Sequence, residues 1–389
     1  MRRVIIIVLD GCGVGAMSDA AAYGLTDPES ATLPHVAEAV GGLRLPTLER
    51  LGLGHVAAIR GVAPVTPIGG WGRMAEASAG KDSVTGHWEL MGVVTETPFP
   101  TYPQGFPGEV IAEFEARIGR GTLGNVAASG TEIIRRFGQE HRATGKPIVY
   151  TSADSVFQIA AHEEVVPLKE LYGMCAAARE LLTAPNNVQR VIARPFVGDS
   201  PETFRRTEHR RDYPLTPPTP NFLTALGEAR KTAQAIGVVA DLFPRSYFAL
   251  AERTQSNPAH LSAISEAIQT GQEDLVFANC EDFDMLYGHR NDPAGFARAL
   301  EAFDAALAGM VGALRPEDLL ILTADHGNDP TTASTDHSRE YVPLLGYGPS
   351  GGVQGDLGTR TTFADVAATA ALWLGVPWNG PGMAIVPVK

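Results

Sequence analysis

The run Val4-Ile5-Ile6-Ile7-Val8-Leu9, closed at once by Asp10, restricts the fold more than any other feature of the chain. An unbroken β-branched run without alternation reads as a strand buried on both faces, as a parallel strand between two helix layers is. Asp10 then stands at the strand's carboxyl end. The same grammar returns where Leu275-Val276-Phe277-Ala278 leads to Asp282 and Asp284, and where Leu319-Leu320-Ile321-Leu322-Thr323 leads to Asp325 and His326. Between these two, Asp292-Pro293 forms an N-cap and first-turn pair, followed by Phe296, Leu300, Phe303, Leu307 and Leu314 at helical spacing. Open α/β sheets bind ligands beyond the carboxyl ends of their strands, so the three acidic strand ends are expected to converge.

A length of 389 residues exceeds what one hydrophobic core usually serves. Two stiff segments, the Pro- and Gly-rich stretch 97–107 and the DYPLTPPTP run from Asp212 to Pro220, read as paired hinges. They predict a discontinuous core, 1–98 and 218–389, with a smaller cap or substrate domain, 99–217, inserted into it. Apolar residues at 44% and charged residues at 19% exclude a disordered chain. A net charge of −13 repels polyphosphate backbones and argues against a nucleic-acid partner. Met1-Arg2-Arg3 before the first strand imitates a signal peptide, but its apolar run is too short, and no segment is long enough to span a bilayer. The three cysteines, Cys12, Cys175 and Cys280, lack metal-type spacing, and a cytoplasmic location is expected. Cys12 and Cys280 read as small buried residues beside strand ends, with no assigned role.

Asp10, Asp284, His289, Asp325, His326 and His337 form the candidate metal set. Taken singly, an Asp after a strand is a turn or cap residue and a loop His is solvated. Their joint occurrence, with carboxylate and imidazole but no thiolate, suits a pair of ions such as Mn²⁺, Zn²⁺ or Mg²⁺. A nucleophile is available in GKDSVTGHWE, residues 80–89, which reads as a loop feeding a helix. Free amides at a helix start favour a phosphoryl group there, so Ser83 and Thr85 are both candidates. The plain alternative is a helix cap. His87 and Glu89 either orient the nucleophile or pack the helix start.

The segments VLDGCGVGAMSDA, GKDSVTGHWELMG, TSADSVFQIAAHEE, VIARPFVGD, DFDMLYGHRNDP, LTADHGNDPTT and TDHSREYVPLL occur in order from residue 4 to about residue 345. Together they resemble the phosphopentomutase family of the alkaline phosphatase superfamily. The resemblance implies an α/β fold, an alkaline phosphatase-like core with a mainly parallel sheet between helices, plus an inserted smaller α/β cap. It implies that Thr85 carries the phosphoryl group, that Asp284, His289 and His337 hold one manganese ion, and that Asp10, Asp325 and His326 hold the other. In the cap, Arg194 and Arg210 would clamp the distal phosphate, and Ser152, Asp154 and Val156 would line the ribose site. Solvated charge and a simple turn are the plain readings of these cap residues. The implied reaction interconverts ribose 1-phosphate and ribose 5-phosphate, and the 2-deoxyribose equivalents, through a pentose 1,5-bisphosphate. A sugar bisphosphate activator would prime Thr85, and a cap that excludes water would suppress hydrolysis.

The chain departs from the family's pattern at Gly237-Val238-Val239-Ala240-Asp241-Leu242-Phe243, where a lysine is usual, and through 244–260. No lysine role is carried over. Three rivals stand beside this reading. The first is a metal-dependent phosphohydrolase of the same superfamily. The second is a dinucleotide oxidoreductase suggested by Gly11, Gly13 and Gly15, whose spacing is not GxGxxG and whose Asp10 would face the pyrophosphate. The third is a sugar-phosphate binder without catalysis.

Overall fold

The computed structural model describes residues 2–152 and 154–386. Their strands are β1 (Arg3–Leu9), β2 (Gly70–Met74), β3 (Leu123–Ala127), β4 (Ile148–Thr151), β5 (Val156–His162), β6 (Arg190–Val197), β7 (Arg205–Arg206), β8 (Arg211–Pro214), β9 (Ala233–Ile236), β10 (Leu250–Glu252), β11 (Leu275–Cys280), β12 (Asp318–Thr323), β13 (Val342–Tyr347) and β14 (Gly355–Arg360). The chain forms two compact units. The larger takes the residues up to Pro98, Pro217–Ala240 and those from Arg245 on; the smaller takes Phe99–Thr216 and Asp241–Pro244.

The larger unit holds an eight-stranded sheet in the order β10-β9-β11-β1-β12-β13-β2-β14. β1 lies between β11 and β12 and is parallel to both. β13 alone runs against the rest, antiparallel to β12 and β2. Every residue of β1 is buried, which is why its sequence shows no alternation. The helix Asp365–Leu374 packs on β1, and Asn257–Thr270 packs on β11 and on Pro293–Ala313. That last helix begins as its sequence predicts: Asp292 caps it by accepting from Gly295 N at 2.8 Å, with Pro293 in the first turn. Arg3 is buried at the entrance of β1, its guanidinium on the carboxylate of Asp318, its register partner on β12. Among the described residues no helix is long and apolar enough to cross a membrane.

The smaller unit has a second sheet, β3-β4-β5-β6-β7, with β8 also paired to β6. One face is packed by the helices Gly108–Ile118 and Leu168–Leu181 around Phe114, Phe157 and Cys175. Gly130–Thr144 packs the other through Ile133 and Ile134. The second stiff segment is not wholly a linker. Arg211–Pro214 pairs with β6 because Asp212 is buried between two arginines, which offsets the turn-forming character of the run.

Candidate active site

In the larger unit, β1, β11 and β12 run parallel, so their acidic ends lie side by side. Asp10 follows β1, Asp284 sits in a π-helical turn, Phe283–Tyr287, after β11, and Asp325 and His326 follow β12. A bridge between Gly327 and Ser338 brings the His337 loop alongside, stacking the His326 and His337 rings at 4.0 Å between centroids. Asp10, Asp325 and His326 offer ligand atoms all within 4.8 Å of one another, and so do Asp284, His326 and His337. His289 joins through Asp284, its Nε2 being 3.0 Å from Asp284 Oδ2.

The donor chemistry fits divalent ions. His326 donates from Nδ1 to Gly327 O (3.1 Å) and His289 from Nδ1 to Thr335 O (2.6 Å). Each ring therefore turns Nε2 toward carboxylate oxygens, as metal-ligating imidazoles do. His326 Nε2 is 3.3 Å from both Asp10 Oδ1 and Asp325 Oδ2. Both of those oxygens are buried without a hydrogen-bond donor. His87 Nδ1 lies 3.2 Å from Asp325 Oδ2, but its proton goes to Ser83 O at 2.7 Å. Two orphaned, buried anionic oxygens facing one imidazole nitrogen are what a bound cation satisfies.

The electrostatics agree. Burial pushes the Asp10 carboxyl well above the usual range, and the charges of Asp325 and Asp284 push it further. Burial would raise Asp284 as well, yet His337 and His289 hold it well below that range. Against the same burial, His326 and His87 pull Asp325 down. Burial lowers the His326 imidazole, favouring the neutral form that binds metal. Burial would also lower His289, but its contact with Asp284 raises it. The thiols of Cys12 and Cys280 are buried and pushed up, first by that burial, which leaves them poor ligands.

Several residues the sequence reading missed hold this set in place. Asn279 Nδ2 donates to Asp10 Oδ2 and Asn328 Nδ2 to Asp284 Oδ1, each at 2.6 Å. Glu340, buried, accepts from Gly15 N, Thr32 N, Thr32 Oγ1 and Ser338 Oγ, tying the glycine loop after β1 to the His337 segment. The glycines of that loop serve close packing: a Cβ on Gly13 would lie 2.3 Å from a Glu340 oxygen.

The loop at 80–82 does feed a helix, Ser83–Leu90. Its cap is Asp82, whose Oδ1 accepts from Thr85 N (3.0 Å) and whose Oδ2 accepts from Thr85 Oγ1 (2.7 Å). Thr85 is fully buried. Ser83 Oγ lies 3.0 Å from His326 Nε2, so the helix start abuts the first ligand set. Gly86 permits this approach, since a Cβ there would fall 2.2 Å from Asp325 O. Glu89 is an anchor: it accepts from Ala77 N, Ser78 N, Thr362 Oγ1 and Phe363 N. Arg339, paired with Glu76, donates to the carbonyls of Glu76, Ser78 and Gly80 and so fixes the same approach loop.

In the smaller unit, Ser152, Asp154 and Val156 lie where β4 turns into β5. Ser152 Oγ donates to Asp154 Oδ2 at 3.4 Å, Asp154 is exposed, and Val156 is buried as the first residue of β5. Arg194 Nε donates to Gln158 Oε1 at 3.0 Å. Burial, with Arg210 nearby, lowers the Arg194 guanidinium to about 10. Arg210 grips Asp212 with two bonds, Nε to Oδ1 at 2.7 Å and Nη2 to Oδ2 at 2.8 Å. Burial would raise Asp212, but Arg210, Arg190 and Arg194 bring it to about 2.

Comparison with known proteins adds the family context. The family model for the metalloenzyme superfamily matches residues 2–377. Phosphopentomutase of Caldanaerobacter subterraneus subsp. tengcongensis is 55% identical over 372 residues, covering 95% of this chain and 94% of its own. Phosphopentomutase of Symbiobacterium thermophilum is 52% identical, covering 98% of this chain and 97% of its own. Among solved structures, PH0037 from Pyrococcus horikoshii superposes with a TM-score of 0.52 at 17% identity, covering 98% of this chain and 99% of that one. Leishmania mexicana phosphoglycerate mutase gives 0.51 at 15% identity, covering 100% and 98%. At such identities these structures show a shared α/β fold.

Proposed function

This chain belongs to the phosphopentomutase family of the metalloenzyme superfamily, and from that we propose that it interconverts ribose 1-phosphate and ribose 5-phosphate, with the 2-deoxyribose equivalents. It is an isomerase, a phosphotransferase acting within one molecule, and it depends on divalent metal. The observation that carries the finer reading is the abutment of the Thr85 helix on the Asp10, Asp325 and His326 set.

Thr85, once phosphorylated, gives its phosphoryl group to the free hydroxyl of a pentose monophosphate. The resulting 1,5-bisphosphate reorients and returns its other phosphate to Thr85. A sugar bisphosphate primes the first turnover. Asp10, Asp325 and His326 would hold one ion and Asp284, His289 and His337 the other. Manganese bound there would neutralise phosphoryl oxygens and favour the threonine alkoxide. The chain supplies the rest. Asp82 holds the proton of Thr85 Oγ1 and orients it. Asn279 and Asn328 keep the carboxylates in register. The backbone amides at the start of Ser83–Leu90 favour the phosphoryl group. In the smaller unit, Arg194 and Arg210 would clamp the phosphate not being transferred, as cations already held in place by Gln158 and Asp212. Ser152, Asp154 and Val156 would meet the sugar.

The test is phosphorus NMR of manganese-loaded protein with ribose 1-phosphate and a trace of sugar bisphosphate. Ribose 5-phosphate should accumulate, Thr85→Ala should abolish it, and Ser83→Ala should not prevent phosphorylation at Thr85. Inorganic phosphate as the sole product would sink the mutase reading in favour of a hydrolase.

A further inference from the structure

Lys81 belongs to none of the roles above, although its side chain ends between two segments of the site. Its Nζ lies 3.3 Å from both carboxylate oxygens of Asp27 and 3.3 Å from Asp336 Oδ2. The Asp27 carboxylate is buried, and the Lys81 side chain is only 17% exposed. An ammonium group has donors and no acceptor, so this one ties together two carboxylates that are far apart in the chain.

Those two carboxylates hold the His337 segment from both sides. Asp336 Oδ1 accepts from His337 N at 2.9 Å, and Asp27 Oδ2 accepts from Arg339 N at 3.0 Å. The imidazole between them stacks on His326 and turns Nε2 to within 3.5 Å of Asp284 Oδ1. Gly24 leaves room for the cluster, since a Cβ there would lie 2.5 Å from Asp27 Oδ1.

The backbone on either side of Lys81 is joined to Thr85. Gly80 packs on it: a Cβ there would fall 2.8 Å from Thr85 Oγ1, and the Gly80 carbonyl accepts from Arg339 Nη1 at 2.6 Å. On the other side, Asp82 accepts from Thr85 N and Thr85 Oγ1. Moving the Lys81 side chain therefore displaces both residues that orient the hydroxyl. A continuous link runs from the His337 amide through Asp336 and Lys81 to Gly80, Asp82 and Thr85, and partners that orient a metal ligand in this way set its affinity.

We propose that Lys81 is a positioning residue that locks the His337 segment to the Thr85 loop, so that metal binding and presentation of the acceptor hydroxyl depend on one ion-pair cluster. It acts through Asp27 and Asp336 rather than on the reacting atoms. Its part in phosphoryl transfer rests on the proposed function.

The experiment uses the full chain with manganese. It reads manganese affinity from the electron paramagnetic resonance signal of the free ion, phosphorylation at Thr85 by intact-protein mass spectrometry, and steady-state kinetics with ribose 5-phosphate. Lys81→Met should weaken manganese binding by about tenfold or more and slow phosphorylation at Thr85. It should lower kcat by more than it raises KM, because what it misplaces is the acceptor and not the substrate. Lys81→Arg should recover part of the loss, since a cleft of about 350 Å³ bordered by Lys81, Tyr23, Ser334 and Asp336 leaves room for the longer side chain. Asp336→Asn keeps an oxygen for the His337 amide and removes only the charge facing Lys81, so it should fold and weaken manganese binding by about threefold, the worth of a half-exposed ion pair. Manganese affinity within twofold of the parent in both Lys81→Met and Asp336→Asn would overturn the proposal; where Lys81→Met fails to fold, Asp336→Asn decides alone by the same limit. A raised KM with affinity and phosphorylation unchanged would also overturn it, by making Lys81 a substrate contact. Variants that lose manganese affinity beside a parent enzyme that only releases inorganic phosphate would leave the lock standing and refute the mutase reading.

Discussion

Replacing Arg3 with methionine tests how the central strand is held. Arg3 and Asp318 are both fully buried. Arg3 makes five hydrogen bonds: Nε and Nη2 to the Asp318 carboxylate at 2.9 and 2.6 Å, Nη1 to Ala267 O and Gly271 O at 3.0 and 3.2 Å, and Nη2 to Ile268 O at 2.9 Å. The cation thus also closes the carboxyl end of the helix Asn257–Thr270, where exposed carbonyls favour positive charge. Methionine fills much of the volume but leaves the Asp318 carboxylate, among the described residues, with only the Arg315 amide, at 2.8 Å. An uncompensated buried charge of this kind costs about 3–5 kcal/mol. The double variant Arg3→Met with Asp318→Leu should regain most of that loss, because both charges then leave the interior. Urea unfolding followed by tryptophan fluorescence suits the question, since Trp71, Trp88, Trp373 and Trp378 all belong to the larger unit. The midpoint should fall in the single variant at unchanged slope. A loss below about 1 kcal/mol, or a double variant no better than the single, would refute the argument that the pair is a desolvated one.

Other consequences follow from the site and its surroundings. Asp82→Ala removes both a helix cap and the acceptor of the Thr85 hydroxyl. It should cost about 1 kcal/mol of stability and also slow phosphorylation at Thr85, read by intact-protein mass spectrometry. A stability loss with an unchanged rate would reduce Asp82 to a cap. Removing metal should lower the tryptophan-detected midpoint and manganese should restore it, by about 2.7 kcal/mol for each occupied site at a hundredfold excess over Kd. A midpoint indifferent to both chelator and manganese would contradict the ligand assignment. Burial holds the His260 imidazole down to about 4. Its folded pKa is therefore below the unfolded value near 6.5, so stability is complete above that pH, drains as pH falls toward 4 and levels off below it. The drain should be about 3 kcal/mol, and His260→Gln should flatten the urea midpoint over that interval. A slope unaltered by the substitution would assign the acid loss to other groups.

Local pattern alone identified the three buried strands, their acidic ends and the capped helix Pro293–Ala313, because burial on two faces and a helical repeat are written in consecutive residues. It also marked the segment 80–89 as the start of a helix, while leaving Ser83 and Thr85 level. What it could not supply were partners far apart in the chain. Asn279 on Asp10, Asn328 on Asp284, Glu340 under the glycine loop and Glu89 across two loops become neighbours only through the register of parallel strands whose sequence separation carries no periodic signal. The stretch 212–214, rich in turn formers, became a strand because a buried carboxylate met two arginines. Gly86 shows the same division: its identity is plain in the sequence, whereas the reason for it is a backbone oxygen of Asp325, brought there by tertiary packing.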